Sequence, residues 1–217
     1  MKRTREEAEQ TRERLLDAAE QVFQRKGVSR TSLEDIAREA GLTRGALYWH
    51  FKDKSDVFAA IVDRLNAPLV ALEIAGADPD EPEPLARLRE VLLRIVHDIA
   101  HDPQRRRVYE IIFHKCELTE TNQAIVERHR RNYLEVAQRI RSLLENARQQ
   151  GQLPPDFDAA LATRQLQVQI TGLLYLWLLW DSPERLVTEA VCMVDAYLDS
   201  LSLCYRSGDQ CQAAPDP

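Results

Sequence analysis

Between Thr31 and Lys54 the sequence reads TSLEDIAREAGLTRGALYWHFKDK, two short helical segments with a tight turn between them. Thr31 and Glu34 stand three apart, the spacing at which two side chains close a helix start on its own backbone donors. Leu33, Ile36, Ala37 and Ala40 fall on one helical stripe and face inward. Gly41 supplies the left-handed backbone that stops a helix and turns the chain. Thr43 is placed to cap a second helix through Arg44, Gly45, Ala46, Leu47, Tyr48, Trp49 and His50. A core-packing helix would repeat leucines, whereas this one presents small, hydroxyl, basic and aromatic groups. The pattern commits the segment to a helix-turn-helix, whose second helix fits the major groove of DNA.

Each side chain of that second helix suits a duplex surface. Gly45 and Ala46 are small enough for close approach to base edges and thymine methyls, and Arg44 can bond guanine through two donors. Thr43 can serve a phosphate or a base, while Tyr48, His50 and Lys54 can donate to phosphates, fixing register without reading sequence. Leu47 and Phe51, four apart, anchor the helix on its own core. The bland alternative is a surface helix with a chance aromatic cluster, and an exposed Tyr-Trp-His without a partner is unfavourable.

Charge is unevenly placed. The net charge of −6 argues against a general polyanion binder. Residues 1–56 hold 12 Lys or Arg against 11 Asp or Glu, and the remainder holds 17 against 24. The less acidic end therefore carries the helix-turn-helix, and the acidic body disfavours promiscuous phosphate binding. Seven glycines and an excess of Ala, Leu, Glu, Arg and Gln favour an all-α protein. Cys116, Cys192, Cys204 and Cys211 lack CxxC spacing and suit reduced thiols; a reversible Cys204–Cys211 disulfide is the alternative to idle thiols. The charged start MKRTREEAEQTRERLL has no apolar signal region, and the most apolar run, residues 172–180, falls short of the ~20 residues of a membrane span. A cytoplasmic protein with no membrane contact is expected.

Periodicity and punctuation place the remaining helices. The first should run from about Glu6 to Lys26, burying Leu15, Leu16, Ala19, Val22 and Phe23 and ending at Gly27. Lys2, Arg3 and Arg5 precede it, as a solvated tail or as an arm along phosphates. A fourth helix should start at Asp53 and pass Leu65, with Pro68 interrupting or kinking it. Beyond the acidic, proline-rich GADPDEPEP at 76–84, Asp102-Pro103 should start one helix, Gly151–Pro155 end another, and Ser182-Pro183 start the last. In that last helix Val187, Ala190, Val194, Tyr197 and Leu201 repeat like a coiled-coil seam, read as a subunit interface or as packing within a monomer. The preceding helix, apolar nearly all round over 172–180, needs burial on several sides.

The run LTRGALYWHFKDKSDVF, preceded by an amphipathic helix and the capped TSLEDIA helix, resembles the amino-terminal domain of TetR-family transcriptional repressors. The likeness extends without a gap over residues 10–56. It implies a homodimer of all-α subunits: a helix-turn-helix domain at 1–56, a ligand-binding and dimerisation domain at 57–206, and a tail at 207–217 expected to be disordered. It also implies DNA contacts at Thr31, Ser32, Thr43, Arg44, Tyr48, Trp49, His50 and Lys54.

The HKCE at 114–117, the YWHF at 48–51 and the GQLP at 151–154 resemble the branch of that family typified by AcrR and TtgR, repressors of multidrug efflux pumps. That resemblance implies release from a palindromic operator when a hydrophobic or aromatic molecule fills a pocket in each subunit. Carried over, the pocket lining would be Asn66, Leu69, Leu88, Val91, Leu92, Ile95, Tyr109, Phe113, Tyr133, Val136, Ile140, Gln167, Ile170 and Thr171. Apolar walls with polar anchors at Tyr109, Gln167 and Thr171 fit a small-molecule site, and each residue reads equally well as helical core. Tyr109, Phe113 and Thr171 stand where relatives can place asparagine, histidine or aspartate, which favours neutral aromatic compounds.

Two rival readings compete with this one. His97 and His101 lie one helical turn apart, as in zinc sites, but no third ligand stands out, so no metal and no cofactor are expected. No phosphate loop, nucleophile elbow or catalytic carboxylate pair suggests an enzyme. The second rival is a constitutive DNA-binding repressor with no small-molecule inducer.

Overall fold

A computed structural model describes residues 5–64, 78–117, 123–180 and 183–205. Among these residues every regular element is a helix: α1 (Arg5–Lys26), α2 (Leu33–Glu39), α3 (Arg44–His50), α4 (Lys54–Asp63), α5 (Pro84–His101), α6 (Pro103–His114), α7 (Gln123–Gln149), α8 (Ala159–Trp180) and α9 (Pro183–Cys204). The all-α class expected from composition holds. Asn66, Pro68, Leu69, Cys211 and the 207–217 tail lie outside the described residues.

Helix boundaries follow local chemistry. Gly27 and Gly41 adopt φ of +79° and +64°, so α1 and α2 each end on a left-handed backbone that a side chain would strain. Asp53 caps α4, its carboxylate accepting from the Asp56 amide at 3.0 Å. Asp102 caps α6, accepting from the Gln104 amide at 2.8 Å, with Pro103 as the first helical residue. One expectation moves by a residue. Ser32, not Thr31, caps α2, and Asp35, not Glu34, closes the box: the Ser32 hydroxyl accepts from the Asp35 amide at 3.1 Å and the Asp35 carboxylate from the Ser32 amide at 3.1 Å.

Two compact units form along the chain. The first gathers α1–α4, α6 and the opening of α7 around Leu15, Leu16, Phe23, Ile36, Leu47, Phe51, Val57, Phe58 and Ile61, with Val108 and Ile111 of α6 and Ile125 of α7 in the same core. Leu15, Leu16, Ala19, Val22 and Phe23 are all buried, as the sequence stripe requires, and Phe23 meets the Phe58 ring at 6.5 Å. Because α6 packs on α1, this unit holds more than the helix-turn-helix segment.

The second unit joins α5, the later part of α7, α8 and α9 around Leu88, Leu92, Leu143, Leu144, Leu166, Val194, Tyr197 and Leu201. Here the sequence left two readings of α9, and the structure selects one. Ala190, Val194, Tyr197 and Leu201 are no more than 2% exposed, and the Tyr197 hydroxyl donates to the Ala162 carbonyl at 3.0 Å, so this stripe is core within the subunit. The 3–4 spacing reported an apolar face correctly but could not say what it faces. The outward apolar groups lie elsewhere: Tyr133 and Leu134 on α7, Val168, Tyr175, Leu176, Leu179 and Trp180 on α8, and Leu203 on α9 are all more than 40% exposed.

Candidate nucleic-acid interface

Helix α3 is short and firmly held. Thr43 caps it, its hydroxyl accepting from the Ala46 amide at 3.2 Å. Leu47 is fully buried and Phe51 nearly so, which fixes the opposite face outward. On that outward face stand Thr43, Arg44, Gly45, Tyr48 and Trp49, all exposed, with Ala46 and His50 half-buried beside them. Trp49 is 72% exposed and meets the His50 ring edge-on at 4.5 Å. So large an indole held against water by a rigid seven-residue helix points to a partner surface.

Arg44 is held in place. Its guanidinium pairs with the Glu34 carboxylate on α2 and lies 5.6 Å over the Tyr48 ring. Gly45 meets no atom of its own chain that would forbid a side chain; an added Cβ would find only the Thr43 hydroxyl, at 4.0 Å. The fold therefore gives no internal reason for glycine at that position.

The flanking residues divide. Ser32 is exposed at the start of α2. Thr31 is buried, and its hydroxyl donates to the Gly27 carbonyl at 2.7 Å, so it shapes the turn between α1 and α2. The Lys54 ammonium donates to the Val28 and Ser29 carbonyls at 2.7 and 3.0 Å, and burial pushes its pKa down. Two of its three donors thus stitch α4 to that same turn. No signal in the sequence pointed to those carbonyls, because their partner is 26 and 25 residues away.

The turn is also gripped from the end of α6. The Val28 amide donates to the Lys115 carbonyl at 2.8 Å, and the Ser29 amide to the Glu117 carboxylate at 3.3 Å. The HKCE motif therefore has a mechanical place beside the reading helices. At the far end of α4, Arg64 donates to Asp17 at 2.8 Å and to Glu13 at 2.5 Å, and bonds the fully buried Glu20 carboxylate. Gln104 donates to Glu20 at 3.2 Å and Arg107 lies 3.8 Å from it, both from α6. Burial raises the Glu20 pKa, with Arg64 opposing that shift.

The residues expected around a small molecule are distributed over both units. In the second, Leu88, Val91, Leu92 and Ile140 are buried and Ile95, Val136 and Ile170 pack partly buried against them. Gln167 is buried and its side-chain amide donates to the Tyr133 carbonyl at 3.0 Å; Thr171 is half-buried and Tyr133 exposed. In the first unit Tyr109 and Phe113 stack with centroids 6.1 Å apart, and burial pushes the Tyr109 hydroxyl up to about 12. Among the described residues no group of three His, Cys, Asp or Glu side chains could hold a metal, and no helix is long and apolar enough to cross a membrane.

A capped, outward-facing recognition helix set on a helical body defines a helix-turn-helix DNA-binding regulator. The chain belongs to the TetR family of bacterial regulatory proteins: residues 15–61 match that family's DNA-binding domain, and residues 83–203 match the carboxy-terminal region of MAATS-type transcriptional repressors. It is 38% identical over 203 residues to the transcriptional regulator TtgR of Pseudomonas putida, covering 94% of this chain and 97% of TtgR. Its fold is similar to that of NalD, the secondary repressor of the MexAB-OprM multidrug efflux pump in Pseudomonas aeruginosa, with a TM-score of 0.77 at 31% identity over 93% of this chain and 100% of NalD. It is equally similar to SmeT of Stenotrophomonas maltophilia in a complex with triclosan, with a TM-score of 0.77 at 34% identity over 86% of this chain and 90% of SmeT.

Proposed function

We propose that this chain is a ligand-responsive repressor that binds a palindromic operator as a homodimer, controls a multidrug efflux pump, and is released by hydrophobic or aromatic small molecules. The observation that carries the DNA reading is the outward row of Thr43, Arg44, Gly45, Tyr48 and Trp49 on a helix whose other face is locked in the core. Ser32, Ala46, His50 and Lys54 flank that row; Thr31 contributes through the turn it holds. The efflux assignment rests on the likeness to TtgR, NalD and SmeT. The exposed apolar row of α8 is the surface proposed to meet a second subunit.

Release follows from geometry. Two recognition helices must sit about 34–36 Å apart to enter successive major grooves. A ligand that favours a conformation with another spacing lowers operator affinity by its differential binding energy, typically about 1–3 kcal/mol. Within the reading unit α4 is fastened at one end by Lys54 and at the other by Arg64, and α6 is fastened to the same turn and the same Glu20. A displacement of α6, which carries Tyr109 and Phe113, would therefore drag the reading helices with it. The remaining proposed ligand contacts are Leu88, Val91, Leu92, Ile95, Tyr133, Val136, Ile140, Gln167, Ile170 and Thr171.

The test combines two readings on purified protein. Gel shift of the duplex upstream of its own gene should show a discrete complex, and a panel of neutral aromatic compounds including triclosan should contain members that dissolve it. Those same members should raise the melting temperature of the free protein by mass action. Compounds that stabilise the protein yet leave the complex intact would contradict the sensor reading.

A further inference from the structure

Arg44 occupies the first position of α3, where the helix dipole disfavours a cation, and α3 has no acidic residue in its first turn. The missing counter-charge comes from outside the helix. Glu34, in the first turn of α2, pairs with the Arg44 guanidinium, and the Tyr48 ring supports the guanidinium from below at 5.6 Å. Both partners of the pair are well exposed, at 62% and 58%. Tyr48 and Glu34 together hold the Arg44 pKa up. Glu34 makes no contribution to the capping box, which Ser32 and Asp35 close between them. Its carboxylate lies in the first turn of α2, where the helix dipole favours an anion, and its ion pair reaches across to the reading arginine of α3.

We infer that Glu34 is a specificity-determining residue: it holds Arg44 in the orientation that meets a base edge and withholds it from phosphates. This inference rests on the DNA-binding reading. On an operator, Arg44 reaches guanine from its preset position, so little freedom is lost on binding. On other sequences no base rewards that position, and the arginine gains only by swinging to a phosphate. That swing requires breaking the pair and leaving Glu34 in the field of the DNA. The carboxylate therefore penalises non-operator binding more than operator binding.

The test uses the full-length protein, an operator duplex selected from a random pool, and a scrambled duplex of equal length, titrated over a range of salt. Glu34→Gln keeps the side chain's size and removes its charge. It should raise affinity for the scrambled duplex by roughly tenfold and for the operator by clearly less, so the specificity ratio falls. The salt dependence on the scrambled duplex should steepen by about 2 in slope, one added phosphate contact per subunit. Equal changes on both duplexes, or none, would overturn the inference. Arg44→Ala separates two further cases. In that background Glu34→Gln should have no effect on the ratio; if it still raises scrambled binding as much, general charge removal is the cause and the inference fails. If Arg44→Ala alone leaves operator binding intact, the role given to Arg44 fails, and this inference with it.

Discussion

At Gly45, in the first turn of α3, the helix accepts a residue whose extra freedom in the unfolded chain costs up to about 1 kcal/mol relative to alanine, although no contact among the described residues needs it there. Its backbone is ordinary helix and the space around it is open. Gly45→Ala should therefore stabilise the free protein by about that amount in urea melts while weakening operator binding, because the added methyl stands where a base edge would approach. A variant both more stable and fully active would show that the surface is not in close contact with DNA. Contacts between near neighbours are legible in the sequence, and contacts set by tertiary packing are not. Thr43 was legible because a cap acts on the three residues that follow it. Thr31 and Ser32 were not separable, since each is a hydroxyl residue with a carboxylate three positions on. Tertiary placement makes the choice: Thr31 is buried with its hydroxyl on the Gly27 carbonyl, and it is the Ser32 hydroxyl that accepts from the Asp35 amide.

At the scale of the element, α2 depends on the ionised Asp35. Hydrogen bonds from Lys26 and from the Ser32 amide and hydroxyl hold this carboxyl well below its ordinary range. A carboxyl depressed in the folded state contributes stability that is present above its unfolded pKa of about 3.9 and lost as pH falls through the folded value. Wild-type protein should therefore exceed Asp35→Asn in stability at pH 6, and the gap should narrow steadily below about pH 4, as urea melts across that range would show. Equal stability at pH 6 would mean that the capping box contributes nothing.

Helix α6 makes a second prediction at this scale. Gln104→Ala with Arg107→Ala removes two contacts of α6 to Glu20 while the Arg64 bond remains. This variant should bind operator as wild type does, yet respond several-fold less to an inducing compound, measured as the ratio of operator affinities with and without it. Unchanged response would place the transmission elsewhere. Helix starts and stops were legible from Gly27, Gly41, Asp53 and Asp102-Pro103, whereas the attachment of α6 to α1 depends on contacts about 85 residues apart in sequence and on a buried carboxylate that periodicity does not mark.

At the scale of the molecule, the densest run of exposed apolar side chains among the described residues, outside the reading helix, is the row on α8. Trp180, Leu179, Leu176 and Tyr175 lie within two turns, and water has access to all of them. Leu176→Arg should yield a folded monomer in sedimentation, with unchanged helical circular dichroism and operator affinity lower by orders of magnitude, because each half-site would be bound alone. Val194→Arg should instead unfold the second unit, since Val194 is fully buried in its core and a lone buried charge costs several kcal/mol. The opposite assignment of these two phenotypes would restore the α9 stripe as the subunit seam. A period of 3.5 residues reveals an apolar face, and only tertiary packing determines whether that face is buried by the same chain.

Selection from a random duplex pool decides whether a dimer reads a symmetric operator through α3. Wild-type protein should enrich an inverted repeat whose half-site centres lie about one helical turn, roughly 10 base pairs, apart. Arg44→Ala should lose enrichment of one base pair in each half-site while keeping the spacing. Enrichment of an asymmetric site, or an identical motif with Arg44→Ala, would mean that α3 does not read a symmetric operator.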